Sequence, residues 1–422
     1  MKNSKITSYK VCVLGLGYTG MPLVHAFYRN NIDVKGFDIN TLRVQELKAG
    51  IDKTREISVN ELKKLKKIFL TSGIEDLKDR NFFIITVPTP VNNKNQPDLS
   101  FVRNASALVG QLLKKKSIVV YESTVFPGCT ENICVPILEK ISGLKYNSDF
   151  FCGFSPERIN PGDKSKKIDD VVKVVSGSNN FSSKKIQNLY NKIIRAGTYL
   201  AKDIKTAEAA KVIENIQRDL NIGLINELSI IFHKLKIKTY PVLEAASTKW
   251  NFLNFNPGLV GGHCISVDPY YLTYICKKNK IPTKIILAGR SINEKMNKYI
   301  ARRVLSKLEK KNNKILILGF SFKENCPDIR NTKVADLAKM LLKKNSVEIY
   351  DPVINIDEAK KKYSFKFVNN LGKKRYDAIL FLLAHNGFKH MQSKIEKNNL
   401  NKNGFLFDLK NQLKKSDRVE QL

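Results

Sequence analysis

The sequence has one tryptophan and five histidines in 422 residues. No apolar run approaches the roughly 18–20 residues that cross a bilayer. A membrane-spanning helix is therefore not expected, and the chain is read as cytoplasmic. A secretory leader is not expected either. Met1 to Lys10 is basic, but the apolar stretch Val11 to Leu14 runs straight into glycines, with no small-residue cleavage site behind it. The seven cysteines (Cys12, Cys129, Cys134, Cys152, Cys264, Cys276 and Cys326) are odd in number, and no two stand in a C-x-x-C spacing. That argues against a disulfide framework and a zinc ribbon, and no metal site is expected. Most of these thiols are read as small buried hydrophobes.

Acidic residues are also scarce, 39 against 73 lysines and arginines, for a net charge of +34. Such a surplus points first to a polyanion. Its distribution weakens that reading. Between Ala301 and Leu422 there are 27 basic and 13 acidic residues, a surplus of 14, and the first 300 residues carry the other 20. No basic tail forms, and many lysines sit beside asparagines, as in the run Lys310 to Lys314. A solvated surface is the plain reading, with some attraction for anionic small molecules. Neither nucleic acid nor membrane is expected as a partner.

What is present is an ordinary globular composition, 42% hydrophobic and 27% charged, in a length that suits two or three domains. Residues 10–14 read as a short buried strand. GLGYTG follows, then an apolar-periodic helix from Met21 to Arg29 and a second strand from Asp33 to Phe37, closed by Asp38. This is a βαβ unit. Further strands are expected at Phe82–Val87 and Ser117–Tyr121. From about Asp203 to Leu235 the pattern is helical, uninterrupted by proline and apolar on more than one face, so it is expected to be buried inside the chain or against a second copy. The α/β pattern then restarts with strands at Lys314–Leu318, Val347–Tyr350 and Ala378–Leu383 and a helix at Val334–Leu342. The tail after about Lys410 reads as frayed. The expected fold class is α/β: two Rossmann-like, doubly wound parallel-sheet domains joined by a long central helix. The expected divisions are 1–200 (cofactor domain), 201–305 (central helical region with a cysteine loop) and 306–422 (second Rossmann-like domain).

Gly15, Gly17 and Gly20 lie between strand and helix. The first permits the tight turn, the second lets the backbone approach a pyrophosphate, and the third lets helix pack on strand. The helix N-terminus offers unpaired N–H groups and a positive dipole to phosphate. Asp38 ends the second strand, where a carboxylate accepts ribose hydroxyls and repels a 2′-phosphate, so NAD is favoured over NADP. Thr86–Pro90 and Glu122–Val125 follow the third and fourth strands, where ligands bind in such sheets; strand-end capping is the bland alternative. Asn256–Pro269 carries closely spaced glycines around Cys264. If that turn continues helically, Asp268 falls on the face of Cys264. A thiol beside a carboxylate suits acyl or aldehyde chemistry, while a cysteine buried in a glycine turn explains the same residues without function. His263 would raise thiolate content, unless the adjacent side chains diverge. Lys211 and Asn215 share one face of the long helix. Glu157, in Phe-Ser-Pro-Glu-Arg, sits in an ordered loop.

Taken in order, GLGYTG, TVPTP, ESTVFPG, FSPERINPG, AEAAKVIENIQR, NPGLVGGHCISVDPYYL and GFSFKENCPDIRNTK resemble the nucleotide-sugar dehydrogenases, the UDP-glucose/UDP-mannuronate dehydrogenase family, over nearly the whole chain. GGHC followed by VDPYYL is more like the branch acting on UDP-N-acetylhexosamines than the UDP-glucose branch, which usually has GGSC. The resemblance implies an NAD-dependent UDP-sugar 6-dehydrogenase and a homodimer through the long helix. It also implies roles. Cys264 would be the nucleophile, and Lys211, Asn215 and Asp268 would surround the sugar C6 oxygen. Thr124 would order a water near the cofactor, and Glu157 would help hydrolyse a thioester. Gly15, Gly17, Tyr18, Thr19, Gly20, Asp38, Arg43, Thr89, Thr124 and Arg330 would hold NAD. Glu157, Arg158, Asn160, Lys211, Asn215, Leu253, Asn254, Phe255, Asn256, Gly261 and Lys323 would hold substrate. Two departures stand out. Val267 replaces a lysine that UDP-glucose enzymes often carry near NAD. No arginine occurs between Arg218 and Arg290, so the family's arginine from the neighbouring subunit is missing or replaced, with Lys249 a stand-in.

The expected reaction is four-electron oxidation of a UDP-N-acetylhexosamine to its uronic acid, for surface polysaccharide precursor synthesis. UDP-glucose 6-dehydrogenase is the alternative within the family. A two-electron hydroxyacid dehydrogenase would need one lysine and no cysteine. A non-catalytic basic NAD- or nucleic-acid-binding Rossmann protein is the reading from another class, which the intact Cys264, Lys211, Asn215 and Asp268 oppose.

Overall fold

A computed structural model describes residues 9–64, 68–158, 167–308, 312–388 and 390–422. Two compact units divide them: residues through Glu214 with Tyr270–Ile281, and Asn215–Pro269 with Pro282–Leu422.

The first unit is built on strands β1 (Lys10–Leu14), β2 (Asp33–Phe37), β3 (Phe69–Thr71), β4 (Phe82–Ile85), β5 (Ile118–Tyr121), β6 (Phe151–Phe154), β7 (Lys173–Gly177) and β8 (Thr198–Leu200). Their order in the sheet is β3-β2-β1-β4-β5-β6-β7-β8. Strands covered on both faces need apolar side chains at every position, and the runs KVCVL, FFII and IVVY are buried almost throughout. Val11, Val13, Ile84 and Val120 pack with Val24 and Phe27 of the first helix (Gly20–Arg29) in one core. The sheet is parallel except between β6 and β7, which pair antiparallel at Gly153–Gly177 and Phe154–Ser176. A Cβ at Gly153 would lie 2.4 Å from the Ser176 carbonyl oxygen, so glycine is required there.

The second unit repeats the plan. β9 (Lys314–Leu318), β10 (Ser346–Tyr350), β11 (Lys366–Phe367), β12 (Tyr376–Phe381), β13 (Leu400–Asp408) and β14 (Val419–Gln421) form a parallel sheet of order β11-β10-β9-β12-β13-β14. This is the doubly wound order of the first six strands of the other unit, and it places the ligand crevice at the carboxyl ends of the first and fourth strands of each sheet. The turn after the first strand is also repeated. Gly15 (φ +97°) donates to the Phe37 carbonyl at 2.8 Å, and Gly319 (φ +91°) donates to the Tyr350 carbonyl at 2.9 Å. Leu16 N–H bonds Asp38 as Phe320 N–H bonds Asp351. The tail differs from its expected frayed state. β14 extends the sheet beside β13, Leu422 is buried, and Arg303 and Lys307 both pair with Glu420.

The long helix runs from Ile204 to Lys234, about 46 Å at 1.5 Å per residue. It begins in the first unit and ends in the second. Ala207, Val212, Ile216 and Ile225 are buried, whereas Ile213, Leu224 and Ile231 stay 57%, 53% and 43% exposed. Its apolar character thus has an inner part covered by this chain and an outer part that is not. Among the described residues no helix is long and apolar enough to cross a membrane.

Candidate active site

In the first unit the glycine turn is shaped for a dinucleotide. A Cβ at Gly20 would fall 1.7 Å from the Gly15 carbonyl oxygen, so only glycine lets the helix start this close to the strand. A Cβ at Gly17 would meet no protein atom within 4 Å, which leaves the backbone there open to a ligand. Thr19 precedes the helix and makes no side-chain capping bond; Met21 N–H bonds the Gly17 carbonyl at 3.3 Å and Pro22 has no N–H, so in the first turn the Gly20 N–H is the group left to face a phosphate. Tyr18 lies beside it in the same turn, half-buried. Asp38 accepts from Leu16 N at 2.8 Å and Asn40 N at 2.9 Å, which fixes its carboxylate at the ribose position of such folds. Arg43 donates through Nε to the Leu16 carbonyl at 2.8 Å and pairs with Asp52 at 2.7 Å, while its buried Nη1 has no partner among the described residues. Thr54 and the Ile57 N–H also bond Asp52, and together with Arg43 they hold its carboxyl below the usual range despite burial. An open glycine, an uncapped helix start, a ribose-side carboxylate and an orphaned guanidinium N–H together fit the adenosine diphosphate part of NAD.

The carboxyl ends of the other strands carry the remaining groups of this unit. The Thr86 hydroxyl donates to the Leu14 and Gly15 carbonyls at 2.9 and 2.7 Å, so it pins the glycine turn. Ser123 pins the Val87 carbonyl at 2.7 Å. Thr89 accepts from the Tyr271 hydroxyl through its carbonyl at 2.8 Å. Thr124 is half-buried at the end of β5. Lys211 is 8% exposed on the long helix, and its ammonium donates to the Glu157 carbonyl at 2.8 Å. Arg158 pairs with Glu214, its Nε at 3.0 Å, and donates to the Val172 carbonyl at 2.8 Å. Asn160 lies outside the described residues. Sequence reasoning passed over Glu208, a completely buried carboxyl that receives the Gly128 and Thr130 N–H groups.

In the second unit the cysteine loop, residues 262–267, runs as consecutive turns into the helix that starts at Asp268. The Cys264 carbonyl accepts from Val267 N at 3.1 Å and Asp268 N at 2.8 Å, so Cys264 and Asp268 are one turn apart, and Cys264 is exposed. Asp268 opens the helix Asp268–Lys278, and its Oδ2 receives Asn215 Nδ2 at 2.6 Å; both side chains are buried. Gly262 has φ +83°, and a Cβ there would strike the Phe322 ring at 2.4 Å. Asn331 closes the loop from the other side. Its carbonyl accepts the Gly262 N–H at 3.1 Å, and its amide donates to the Gly262 carbonyl at 2.6 Å and Ser266 Oγ at 3.0 Å. A Cβ at Gly261 would come within 2.7 Å of that Asn331 carbonyl. The clamp by Asn331 had one signal in the sequence, its place in the motif GFSFKENCPDIRNTK. Asn226 holds Gly258 in the same way, accepting its N–H at 2.8 Å and donating to its carbonyl at 3.0 Å.

His263 does not supply the charge that its neighbour would use. Burial, reinforced by the positive Arg330, pushes its imidazole down to about 4, so it is neutral at pH 7. Arg330 itself grips Asp328 in a bidentate pair, Nε to Oδ1 at 3.0 Å and Nη2 to Oδ2 at 2.6 Å. Phe255 packs with Phe252 on a small core of Ile225, Tyr240 and Leu243, whereas Leu253, Asn254 and Asn256 are exposed. Lys323 is half-buried, and its carbonyl receives the Ser321 hydroxyl at 2.8 Å.

A Rossmann domain fitted to NAD, followed in the chain by a lysine- and asparagine-bearing helix, a glycine-framed thiol and a second Rossmann-like domain, defines an NAD-dependent dehydrogenase of the nucleotide-sugar class. The chain belongs to the UDP-glucose/GDP-mannose dehydrogenase family, whose NAD binding domain matches residues 9–194, central domain residues 205–295 and UDP binding domain residues 316–415. It is similar to the UDP-N-acetyl-D-glucosamine 6-dehydrogenase of Salmonella typhi, with 50% identity over 394 residues, 92% of each chain. The Pseudomonas aeruginosa protein of the same name is 48% identical over 411 residues, 95% of this chain and 96% of that one. Among solved structures, the UDP-D-ManNAc dehydrogenase of Pyrococcus horikoshii matches with a TM-score of 0.87 at 29% identity, covering 97% of this chain and 98% of that one.

Proposed function

We propose that this enzyme oxidises the C6 hydroxyl of a UDP-N-acetylhexosamine, UDP-N-acetylglucosamine or its C4 epimer, to the carboxylate, with two NAD reduced per sugar. The observation that carries the chemistry is the Cys264–Asp268 turn with Asp268 held by Asn215 at 2.6 Å. The sugar is supported by the GGHCISVDPYY segment and by relatives near 50% identity that bear the name UDP-N-acetyl-D-glucosamine 6-dehydrogenase.

When bound at the Gly15–Gly20 turn and Asp38, NAD would supply the hydride acceptor for each oxidation. The remaining work falls to side chains. Asp268 takes the hydroxyl proton, directly or through a water, and the Lys211 ammonium stabilises the developing alkoxide. The Cys264 thiolate adds to C6 of the aldehyde, the carbonyl electron pair moves to oxygen, and a thiohemiacetal forms. Its C6 still bears a hydrogen, so it can be oxidised again, to a thioester. Glu157 then assists water in breaking the S–C6 bond, releasing carboxylate and thiolate. Thr124 orders a water beside the cofactor. Covalent capture keeps the aldehyde from escaping. Arg158, Asn160, Leu253–Asn256, Gly261 and Lys323 bind the UDP-sugar, and Tyr18, Thr19, Arg43, Thr89 and Arg330 contact NAD. The product serves as a surface polysaccharide precursor, made in the cytoplasm.

The test is a panel of UDP-sugars assayed at 340 nm with NAD and with NADP at equal concentration. Two NADH per sugar and a higher kcat/KM for a UDP-N-acetylhexosamine are expected. A higher value for UDP-glucose rejects the substrate, and faster turnover with NADP rejects the role given to Asp38. The exposed Ile213, Leu224 and Ile231 further support a homodimer through the long helix. Light scattering at micromolar concentration should give at least twice the 48.0 kDa chain mass; a monomer contradicts it.

A further inference from the structure

The catalytic proposal leaves one buried charged cluster of the first unit unused. Lys173, at the start of β7, and Glu122, directly after β5, are 2% exposed each. Their side chains meet at 2.7 Å. The Tyr190 hydroxyl donates to the other Glu122 oxygen, and the Lys173 ammonium lies 5.6 Å from the Tyr190 ring centre. A second hydrogen of that ammonium goes to the Pro156 carbonyl at 3.3 Å. The next residue is Glu157, whose own carbonyl receives the Lys211 ammonium at 2.8 Å. Directly after Glu122 in the chain come Ser123 and Thr124.

A buried ion pair is a poor source of stability, because desolvating two charges offsets most of their attraction, and apolar side chains of the same volume often serve the fold as well or better. What such a pair supplies is direction. Glu122 fixes the Lys173 ammonium, and the ammonium fixes the carbonyl ahead of Glu157. The peptide that aims Lys211 is thereby held from behind.

We infer that Lys173, seated by Glu122 and Tyr190, is a positioning residue that orients the Pro156–Glu157 segment and, through the Glu157 carbonyl, the ammonium of Lys211. The inference rests on the role of Lys211 proposed above. Misplacing a catalytic group by about an ångström costs on the order of 100-fold in rate. The effect should fall on kcat, since the glycine turn, Asp38 and Arg43 are untouched.

The test replaces the cluster by apolar residues of similar shape, Glu122→Leu with Lys173→Met and Tyr190→Phe, alongside the single variants Lys173→Met and Lys173→Arg. The triple variant is expected to keep its melting temperature within a few degrees and its KM for NAD within about twofold, while kcat drops at least about tenfold. Lys173→Arg, which keeps a donor, should recover part of the rate lost in Lys173→Met. A second readout is independent of turnover: brief acetylation followed by peptide mass spectrometry should label Lys211 several-fold faster in the triple variant than in wild type. If kcat and Lys211 labelling both stay within twofold of wild type, the inference is wrong. It is equally wrong if the triple variant fails to fold or loses NAD affinity in step with kcat, since the cluster is then a structural element only. Wild-type protein inert toward every UDP-sugar would reject the proposed function instead, and Lys211 labelling would still decide the clamp.

Discussion

Asn215 Nδ2 donates to Asp268 Oδ2 at 2.6 Å, joining residues 53 positions apart in the chain, and both side chains are 5% exposed or less. A buried carboxylate in this setting has a defined direction, because the amide occupies one oxygen and the helix start at Asp268 sets the backbone. Asp268→Asn removes the proposed proton acceptor and should lower the rate of first NADH formation by roughly 100-fold or more. Asn215→Ala leaves the acid in place but lets it turn, so a smaller loss is expected, about tenfold. Stopped-flow absorbance at 340 nm measures both. Equal losses in the two variants would contradict the assignment of Asn215 as the aligning group.

Cys264→Ser separates the two oxidations. In the proposed mechanism the first needs only Asp268, Lys211 and NAD, and should persist. The second needs a nucleophile that adds to the aldehyde and later leaves, and a hydroxyl, with its far higher pKa, does both poorly. A fall of at least roughly three orders of magnitude is expected in uronic acid formation, about 4 kcal/mol of barrier. Product mass after long incubation gives the result. Uronic acid at a near wild-type rate would mean that Cys264 takes no part in the chemistry.

Glu208 should make stability depend on pH. Burial raises its carboxyl to about 7, more than the N–H groups of Gly128 and Thr130 can offset. A carboxyl whose folded-state pKa is raised binds its proton more tightly when folded. Its contribution is therefore full below the unfolded value near 4.5 and is lost as pH rises toward 7. The loss is on the order of 3 kcal/mol. Urea unfolding at pH 5 and at pH 7.5 should show a smaller drop in Glu208→Gln than in wild type. An unchanged slope would show that Glu208 titrates normally.

His263 should not tune the thiol. With its imidazole at about 4 it is uncharged through the working range. The pH profile of Cys264 alkylation by iodoacetamide between pH 6 and 9 is expected to be the same in His263→Asn as in wild type. A shift of that profile to higher pH in the variant would restore the histidine as an activator of the cysteine.

Much of the fold was legible because its signals are local. β1 and β9 are continuous apolar runs after a leading lysine, and each ends at a glycine, whereas β2, DVKGF, carries Asp33 and Lys35 and was legible from its place after the glycine turn and helix. The limits of β1 and β9 follow from the sequence because a strand buried on both faces favours apolar residues at every position. The long helix was legible from its period, and the dinucleotide turn from three glycines at set spacing. The edges were harder to read. β14 is three residues in a polar tail, and it is a strand only because β13 offers it an open edge and Arg303 and Lys307 hold Glu420. Nothing in KVVSG, the sequence of β7, marks its antiparallel pairing with β6.

The residue types of the candidate site, and the one-turn spacing of Cys264 and Asp268, belong to the sequence. The course of that segment did not, since glycines allow several, and the packing of Phe322 and Asn331 on Gly261 and Gly262 holds it as a series of turns that ends in the helix at Asp268. The same division holds for the charges. Lys173 looks like any solvated residue in a chain with 73 lysines and arginines, and Glu122 and Glu208 were marked only by their places in ESTVFPG and AEAAKVIENIQR. Their burial, their partners and the shift of Glu208 arise from segments tens of residues apart meeting in a dry interior. A sequence records periodicity along the chain. The energy of a buried charge depends on what stands across from it, and only the tertiary structure decides that.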